Sequence, residues 1–196
     1  NNTADIDVRS LLHEYPLIAQ TQAGDYQLNR TVVDQVDKET EKNGDVTYRV
    51  TIKKGLRFSD GSPIGARDYV FSFLLLSSPH VRSLTGLTPS YTYIDGFDRY
   101  HAGLSQQLSG LHLIDDHTFT LRIKGAYLPY YYEMAYISIN PYPISVILPN
   151  ARVMDDGKGA YISGEMTVDI LKRTILDKEK GYLSHPFVTS GPYRLL

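Results

Sequence analysis

The stretch Thr47 to Leu76, "TYRVTIKKGLRFSDGSPIGARDYVFSFLLL", constrains the fold more than any other part of the chain. It opens with strict alternation: Tyr48, Val50 and Ile52 on one side, Arg49, Thr51 and Lys53 on the other. That period of two predicts a half-buried strand over Thr47–Lys53. Ser59-Asp60-Gly61-Ser62 predicts a turn, with Gly61 free to take a positive φ. Pro63 fixes an extended or turning backbone, and Gly65 stands at the N-cap of a helix starting at Ala66. Asp68, at the third helical position, meets the positive end of the helix dipole. From Tyr69 to Leu76 the helix is apolar almost all round, so it must be buried on more than one side. A chain that encloses such a helix has to wrap it with sheet or with other helices.

The remaining elements follow from the same rules. Asp5–Leu12 reads as a short helix, and Pro79–Asp95 as a polar, irregular stretch. Phe97–Gln107 suits an amphipathic helix. Leu111–Ile114 and Thr118–Ile123 read as an antiparallel hairpin turning at Asp115-Asp116-His117. Pro129 opens a short helix through Tyr136, and Pro141–Pro149 must be extended or turning. Thr167–Lys178 carries Val168, Ile170, Leu171, Ile175 and Leu176 at helical spacing. The tail turns at Gly191-Pro192 and enters a strand, so the chain reads as ending in mid-element.

Composition removes several function classes. The 196 residues are 42% apolar and 21% charged, as in one globular domain, with a net charge of −2 and no basic block to track a phosphate backbone. Nucleic acid is therefore not an expected partner. The absence of cysteine excludes disulfides, thiolate catalysis and cysteine metal sites. Met134–Ala151, the longest uncharged run, contains three prolines, which argues against a membrane helix. No apolar leader follows Asn1, so a secretory leader is expected to have been removed or to lie outside this sequence.

No frame for catalysis or metal binding emerges. The histidines, His13, His80, His101, His112, His117 and His185, form no i,i+4 pair and no HExxH frame. Asp115-Asp116-His117 is better explained as a turn than as an acid–base or metal site, and Asp155-Asp156-Gly157 as a polar loop than as a calcium site. "GKGAY" lacks P-loop spacing, and "TSGPY" lacks the nucleophile-elbow frame. Carboxylates that meet only in space would leave no trace here, but nothing else points to a hydrolase. Tyrosine is the unusual abundance: sixteen, against six phenylalanines and no tryptophan. Its flat ring and polar tip suit tolerant recognition of peptides or sugars. Tyr130–Tyr132 are expected to pack one side of their helix into the core and to expose the other. Tyr91 and Tyr93, in a polar loop, are the candidates for facing a ligand cleft.

The order of the motifs resembles one family. "TYRVTIKKGLRFSDGSP", "ARDYVFSF", "GLHLIDDHTFTLRI", "PYYYEMAY", "NPYPISVI" and "HPFVTSGPYRL" occur in the order found in the peptide-binding group of extracellular solute-binding proteins of ABC importers, family 5. Tyr48, Lys54, Gly55, Phe58, Asp60, Gly61, Pro63, Ala66, Asp68, Val70 and Phe71 fit its hallmark position by position. Two departures stand out: Gly65 replaces the family's usual Thr or Ser, which should weaken the helix cap. Val33–Val36 stand where the family commonly has Ala-x-x-Trp.

The resemblance implies a mixed α/β (α+β) fold, part of a two-lobed receptor of the type II periplasmic-binding-protein kind. Residues 12–184 would be the small subdomain of the first lobe, 1–11 and 185–196 stubs of that lobe's main part, and the second lobe would be absent. It implies a monomer that binds a peptide or similar solute and docks on membrane permease subunits, with no cofactor, no metal and no catalysis. The location would be periplasmic or extracellular, with lipid anchoring at the cell surface as one form. The motif from Lys54 to Asp68 reads as folding punctuation rather than a ligand site. A self-sufficient tyrosine-rich module for sugar or protein is the alternative.

Overall fold

The computed structural model describes residues 15–21, 23–85 and 91–191. The expected helix over Asp5–Leu12 and the strand after Gly191 lie outside these residues. Four strands form the central antiparallel sheet: β3 (Val33–Thr40), β4 (Val46–Ile52), β5 (Leu111–Leu113) and β6 (Thr118–Ile123), in the order β3-β4-β6-β5. The alternation of β4 is realised, with Val46, Tyr48, Val50 and Ile52 buried. Val50 stands between Val36 and Phe119, and Phe119 pairs in turn with Leu113, so one apolar row crosses the sheet. Two short hairpins flank it: β1 (Ile18–Gln20) with β2 (Tyr26–Leu28), and β7 (Arg152–Asp155) with β8 (Ala160–Ser163).

Helix α1 (Ala66–Ser77) is the axis of the molecule. Tyr69, Val70, Phe73 and Leu74 face the sheet core, where the Tyr69 and Phe119 rings stack at 6.4 Å. Phe71 and Leu75 turn the other way, into a second cluster with Ile147, Leu148, Leu171 and Tyr182. The C-terminal third of the chain thus closes the side of α1 that the sheet leaves open. Buried Ser72 fastens this cover: its hydroxyl donates to the Asp68 carbonyl at 2.9 Å and accepts from the Tyr142 amide at 3.0 Å.

The segment before α1 behaves as its sequence predicts. Gly55 and Gly61 take φ of 84° and 87°, where a side chain would be strained. One carboxylate oxygen of Asp60 accepts from both the amide and the hydroxyl of Ser62, at 2.9 and 2.6 Å. Phe58 and Ala66 are buried, Lys54 is exposed, and Pro63 bridges to Arg57 across the turn. The turn is also tied to the distant C-terminal segment, since the Ser59 amide donates to the Thr189 carbonyl at 2.8 Å.

The cap of α1 is not weakened in the way the missing hydroxyl suggests. The β5–β6 turn at Asp115–His117 docks on the helix start, and the Asp116 carbonyl accepts from the Ala66 amide at 2.8 Å. Arg67 adds an ion pair to the Asp116 side chain. The Gly65 amide donates to Asp68 at 2.8 Å. A Cβ on residue 65 would lie 2.9 Å from the Asp116 oxygen, so glycine is what admits the turn.

Other expectations need correction. Pro79–Thr85 forms a helix, α2, with proline at its first position. The helix expected over Phe97–Gln107 stops at His101 (α3, Phe97–His101). Gly103, at φ 72°, ends it, with Gly103 donating to Tyr100 and Leu104 to Arg99. Pro129 does not open a helix; its peptide bond to Leu128 is cis, and only Glu133–Ile137 winds into a 3-10 turn. Pro141–Pro149 includes a single helical turn, α4 (Ile144–Ile147). The helix at Thr167 is present as α5 (Val168–Leu171), capped by the Thr167 hydroxyl and continued by a π-helical turn over Lys172–Leu176. Among the described residues no helix is long and apolar enough to cross a membrane.

Two predictions follow from the α1 start. Gly65→Ser supplies the hydroxyl a cap normally favours, yet it should destabilise the chain by about 1–2 kcal/mol, because backbone must move to admit the Cβ. A rise in the melting temperature would contradict the docking of the turn. Asp68 is buried, and this desolvation, opposed by the Gly65 amide, pushes its carboxyl from 3.8 up to about 6. Its folded state therefore holds a proton that the unfolded chain releases, so stability from this group is complete below pH 3.8 and is lost as pH rises through about 6. Asp68→Asn removes that loss: from pH 4 to pH 7 the variant should gain up to about 3 kcal/mol relative to the parent, read from urea midpoints. Parallel curves would show that Asp68 keeps an ordinary pKa.

Candidate functional site

The tyrosines that dominate the composition are connected to one another. Starting from Phe73 on α1, ring contacts run to Tyr91 at 5.4 Å and on to Tyr93 at 6.0 Å. They continue to Tyr136 at 4.4 Å, to Tyr130 at 5.2 Å and to Tyr132 at 6.0 Å. At the surface Tyr132 meets Tyr26 at 5.5 Å and Tyr131 at 4.7 Å. This aromatic ladder crosses the molecule from the buried helix to solvent.

Hairpin β1–β2 brings Tyr26 to the outer end. It is held there by the Leu17 amide donating to Ile139 at 3.1 Å, and by Asn29 bonding back to Pro16 and Leu17. The result is a shallow groove of about 250 Å³ lined by Asp25, Tyr26, Tyr130–Tyr132, Glu133 and Met134. Glu133 is among its lining residues and is strongly engaged. Lys38, from β3, pairs with it at 2.7 Å, and the buried Tyr48 hydroxyl donates to the same carboxylate. Partial burial works against the Glu133 charge, but the hydrogen bonds from Lys38 and Tyr48 and the Lys38 charge prevail, holding its pKa below the usual range. Burial and the Glu133 contact raise the Tyr48 phenol far above its ordinary value.

The two tyrosines expected to face a cleft lie at the inner end. Tyr93 is 8% exposed, and its hydroxyl donates to the Tyr136 carbonyl at 2.8 Å. Tyr91 is half-buried between Phe73 and Tyr93. Burial pushes both phenols well above the usual range. Tyr91 meets Phe73 of α1 and Tyr93 lies behind it, so Tyr93 belongs to the core while Tyr91 keeps partial exposure. For Tyr130–Tyr132 only the expected exposed side is realised: all three are exposed, Tyr131 at 86%, and none packs into the core. The helix expected from Pro129 does not form across these residues, so no helical face carries one of them into the core. Nothing in "GDYQL" announced that Asp25 and Tyr26 would join them.

The acidic and histidine clusters are structural. Asp155 accepts from His112 Nδ1 at 3.1 Å and from the Leu113 amide at 3.0 Å, clamping hairpin β7–β8 to β5. Asp115 closes the β5–β6 turn on the His117 amide at 2.8 Å. Among the described residues no group of three His, Asp or Glu side chains could hold a metal ion.

With this architecture in place, its relatives are informative. Residues 31–196 match the middle region of the bacterial extracellular solute-binding proteins, family 5. The chain belongs to that family. Its curated relatives include the periplasmic oligopeptide-binding protein OppA of Salmonella typhimurium, 30% identical over 98 residues, which are 49% of this chain and 18% of that protein. The oligopeptide-binding protein OppA of Lactococcus lactis subsp. lactis is 40% identical over 65 residues, 33% of this chain and 11% of that protein. Two solved structures share the fold. The Borrelia burgdorferi periplasmic oligopeptide-binding protein superposes with a TM-score of 0.61 at 18% identity, covering 100% of this chain and 33% of that one. Lactococcal OppA, complexed with an endogenous peptide in the closed conformation, gives 0.61 at 18% identity, over 99% and 32%. The family 5 chain thus spans about a third of these solved structures and under a fifth of the curated relatives.

The Lys38–Glu133–Tyr48 contact yields a prediction. Lys38→Met should raise the Glu133 pKa, and Tyr48→Phe should raise it as well, read from the 13C shift of the side-chain carboxyl during a pH titration. Glu133 carries a depressed pKa, so the stability it contributes is present above its unfolded pKa and lost as pH falls through the folded one. An unmoved titration in both variants would mean the carboxylate is held by other groups.

Proposed function

We propose that this chain forms part of the extracellular, peptide-binding receptor of an ABC importer. The observation that carries the reading is the family 5 match across residues 31–196, supported by relatives named for oligopeptide binding. Such a receptor holds an extended peptide between two lobes, with backbone hydrogen bonds supplying affinity and roomy pockets tolerating varied side chains. Closure then presents a surface to the membrane permease. In this reading residues 12–184 form the small subdomain of the first lobe, and 1–11 and 185–196 belong to that lobe's main part. The second lobe, with the carboxylate that pairs with a peptide's free amine, lies outside the 196 residues. The protein acts as a monomer exported to the periplasm or anchored by lipid at the cell surface.

The segment from Lys54 to Asp68 serves folding, and the hydrogen bonds between Ser59 and Thr189 tie its turn to the segment that leads toward the rest of the lobe. Of the two tyrosines at the inner end of the ladder, Tyr91 is the one with a face left for a ligand. A self-sufficient sugar- or protein-binding module finds no support among the relatives.

Native mass spectrometry with a mixed pool of short peptides tests the reading. The complete gene product should retain peptides, whereas the 196-residue chain should retain them weakly or not at all. A complete product that keeps none would overturn the receptor reading. Tight capture by the chain alone would overturn the division of the site between lobes.

A further inference from the structure

The outer end of the tyrosine ladder has the ingredients of a cation site. The Tyr132 ring makes three T-shaped contacts: with Tyr131 at 89°, with Tyr26 at 75° and with Tyr130 at 71°. In such contacts the edge of one ring meets the face of another, and a face of these groove-lining rings left open to solvent carries negative potential.

The charges around the groove add a sign and a number. Glu133 is already balanced by Lys38 at 2.7 Å, and Tyr48 also donates to it. Asp25, at the lip, uses its backbone in hydrogen bonds to Thr21, while its carboxylate has no hydrogen bond or ion pair among the described residues. The groove therefore carries one uncompensated negative charge, which complements one cationic group. Its volume of about 250 Å³ suits a side chain rather than a whole peptide.

Between the common cations, the arrangement favours a planar one. A guanidinium is weakly hydrated, stacks flat on aromatic faces and forks onto a carboxylate, whereas an ammonium is a compact and strongly hydrated point charge. We propose that the groove formed by Tyr26, Tyr130, Tyr131 and Tyr132, with Asp25 at its lip, binds the guanidinium of an arginine side chain. This site lies on the chain's own surface and does not depend on the receptor reading.

The test uses the 196-residue chain with 13C-labelled tyrosine rings, titrated with N-acetyl-arginine N-methylamide and with its citrulline counterpart. Citrulline keeps the shape of arginine and removes the charge. The arginine probe should give saturable shifts at Tyr131 and Tyr132, assigned by single Tyr→Phe variants, with a dissociation constant on the order of 1 mM. Binding should weaken about tenfold for citrulline and severalfold in Asp25→Asn, and it should weaken again as salt rises. Because Asp25 is exposed and its side chain holds no hydrogen bond or ion pair among the described residues, unchanged Tyr93 and Tyr100 signals will show that the variant remains folded. Equal binding of the two probes, indifference to Asp25→Asn, or no saturable shift at all would each overturn the assignment. None of these readouts involves peptide retention by the complete gene product, so the two readings stand or fall separately.

Discussion

Enclosure of helix α1 is the constraint on which the other features depend. A twelve-residue helix with ten buried positions cannot rest on a sheet alone, because a sheet covers only one side of it. Phe119 and its row provide the first side. The second comes from residues more than sixty positions later, which contribute Ile147, Leu148, Leu171 and Tyr182. The polar groups of so enclosed a helix must then be satisfied locally. Ser72 bonds both its own helix and the incoming segment at Tyr142, and the start of the helix is answered by the Asp116 carbonyl rather than by a capping hydroxyl. The helix thus specifies where the later chain must go.

Tyrosine extends the same logic to the loops. Five hydroxyls reach across the sequence to backbone carbonyls: Tyr69 to Tyr15, Tyr93 to Tyr136, Tyr100 to Leu74, Tyr136 to Tyr127, and Tyr182 to Val188. Each ring fills core or lines the ladder while its tip holds a second segment, which for Tyr69 and Tyr182 lacks regular structure and for Tyr100 is helix α1 itself. With no cysteine for a covalent staple, these latches are a physical means of fixing long connections. Much of the tyrosine abundance that suggests recognition is therefore structural.

What the sequence showed and what it hid divide along local and distant interactions. The strand at Tyr48–Ile52, the hairpin at Leu111–Ile123 and the turn at Asp60–Gly61 were legible because alternation and turn chemistry are encoded within a few residues. Strand β3 escaped notice since "VDQVDKET" is exposed along most of its length and owes its pairing to β4. Asp155-Asp156-Gly157 reads as a polar loop, and Asp156 and Gly157 do lie in the loop of hairpin β7–β8. The strands on either side stay hidden because their anchor, Asp155 on His112 and Leu113, spans more than forty residues. Gly103 did hold a readable stop for α3, and Ser78-Pro79 a readable start for α2. The exchange of roles between Tyr93 and Tyr131 was not readable, because it depends on how Tyr91 and Tyr93 stand against Phe73 of α1.

That exchange also bears on which surface can recognise anything. A flexible aromatic loses rotamer freedom on binding, and the loss is subtracted from its affinity. Tyr130 and Tyr132 are already braced by ring contacts that lead back through Tyr136 and Tyr93 to Phe73, in the most enclosed part of the molecule. Tyr131, although largely exposed, leans on Tyr132. Their ordering is a consequence of packing that the fold requires anyway, and a ligand that meets them needs to supply little of it. The buried end of the ladder, by contrast, has no free tip to offer at Tyr93, since its hydroxyl already holds the Tyr136 carbonyl. Rigidity and availability coincide only at the outer end, where the rings are held from below and open above.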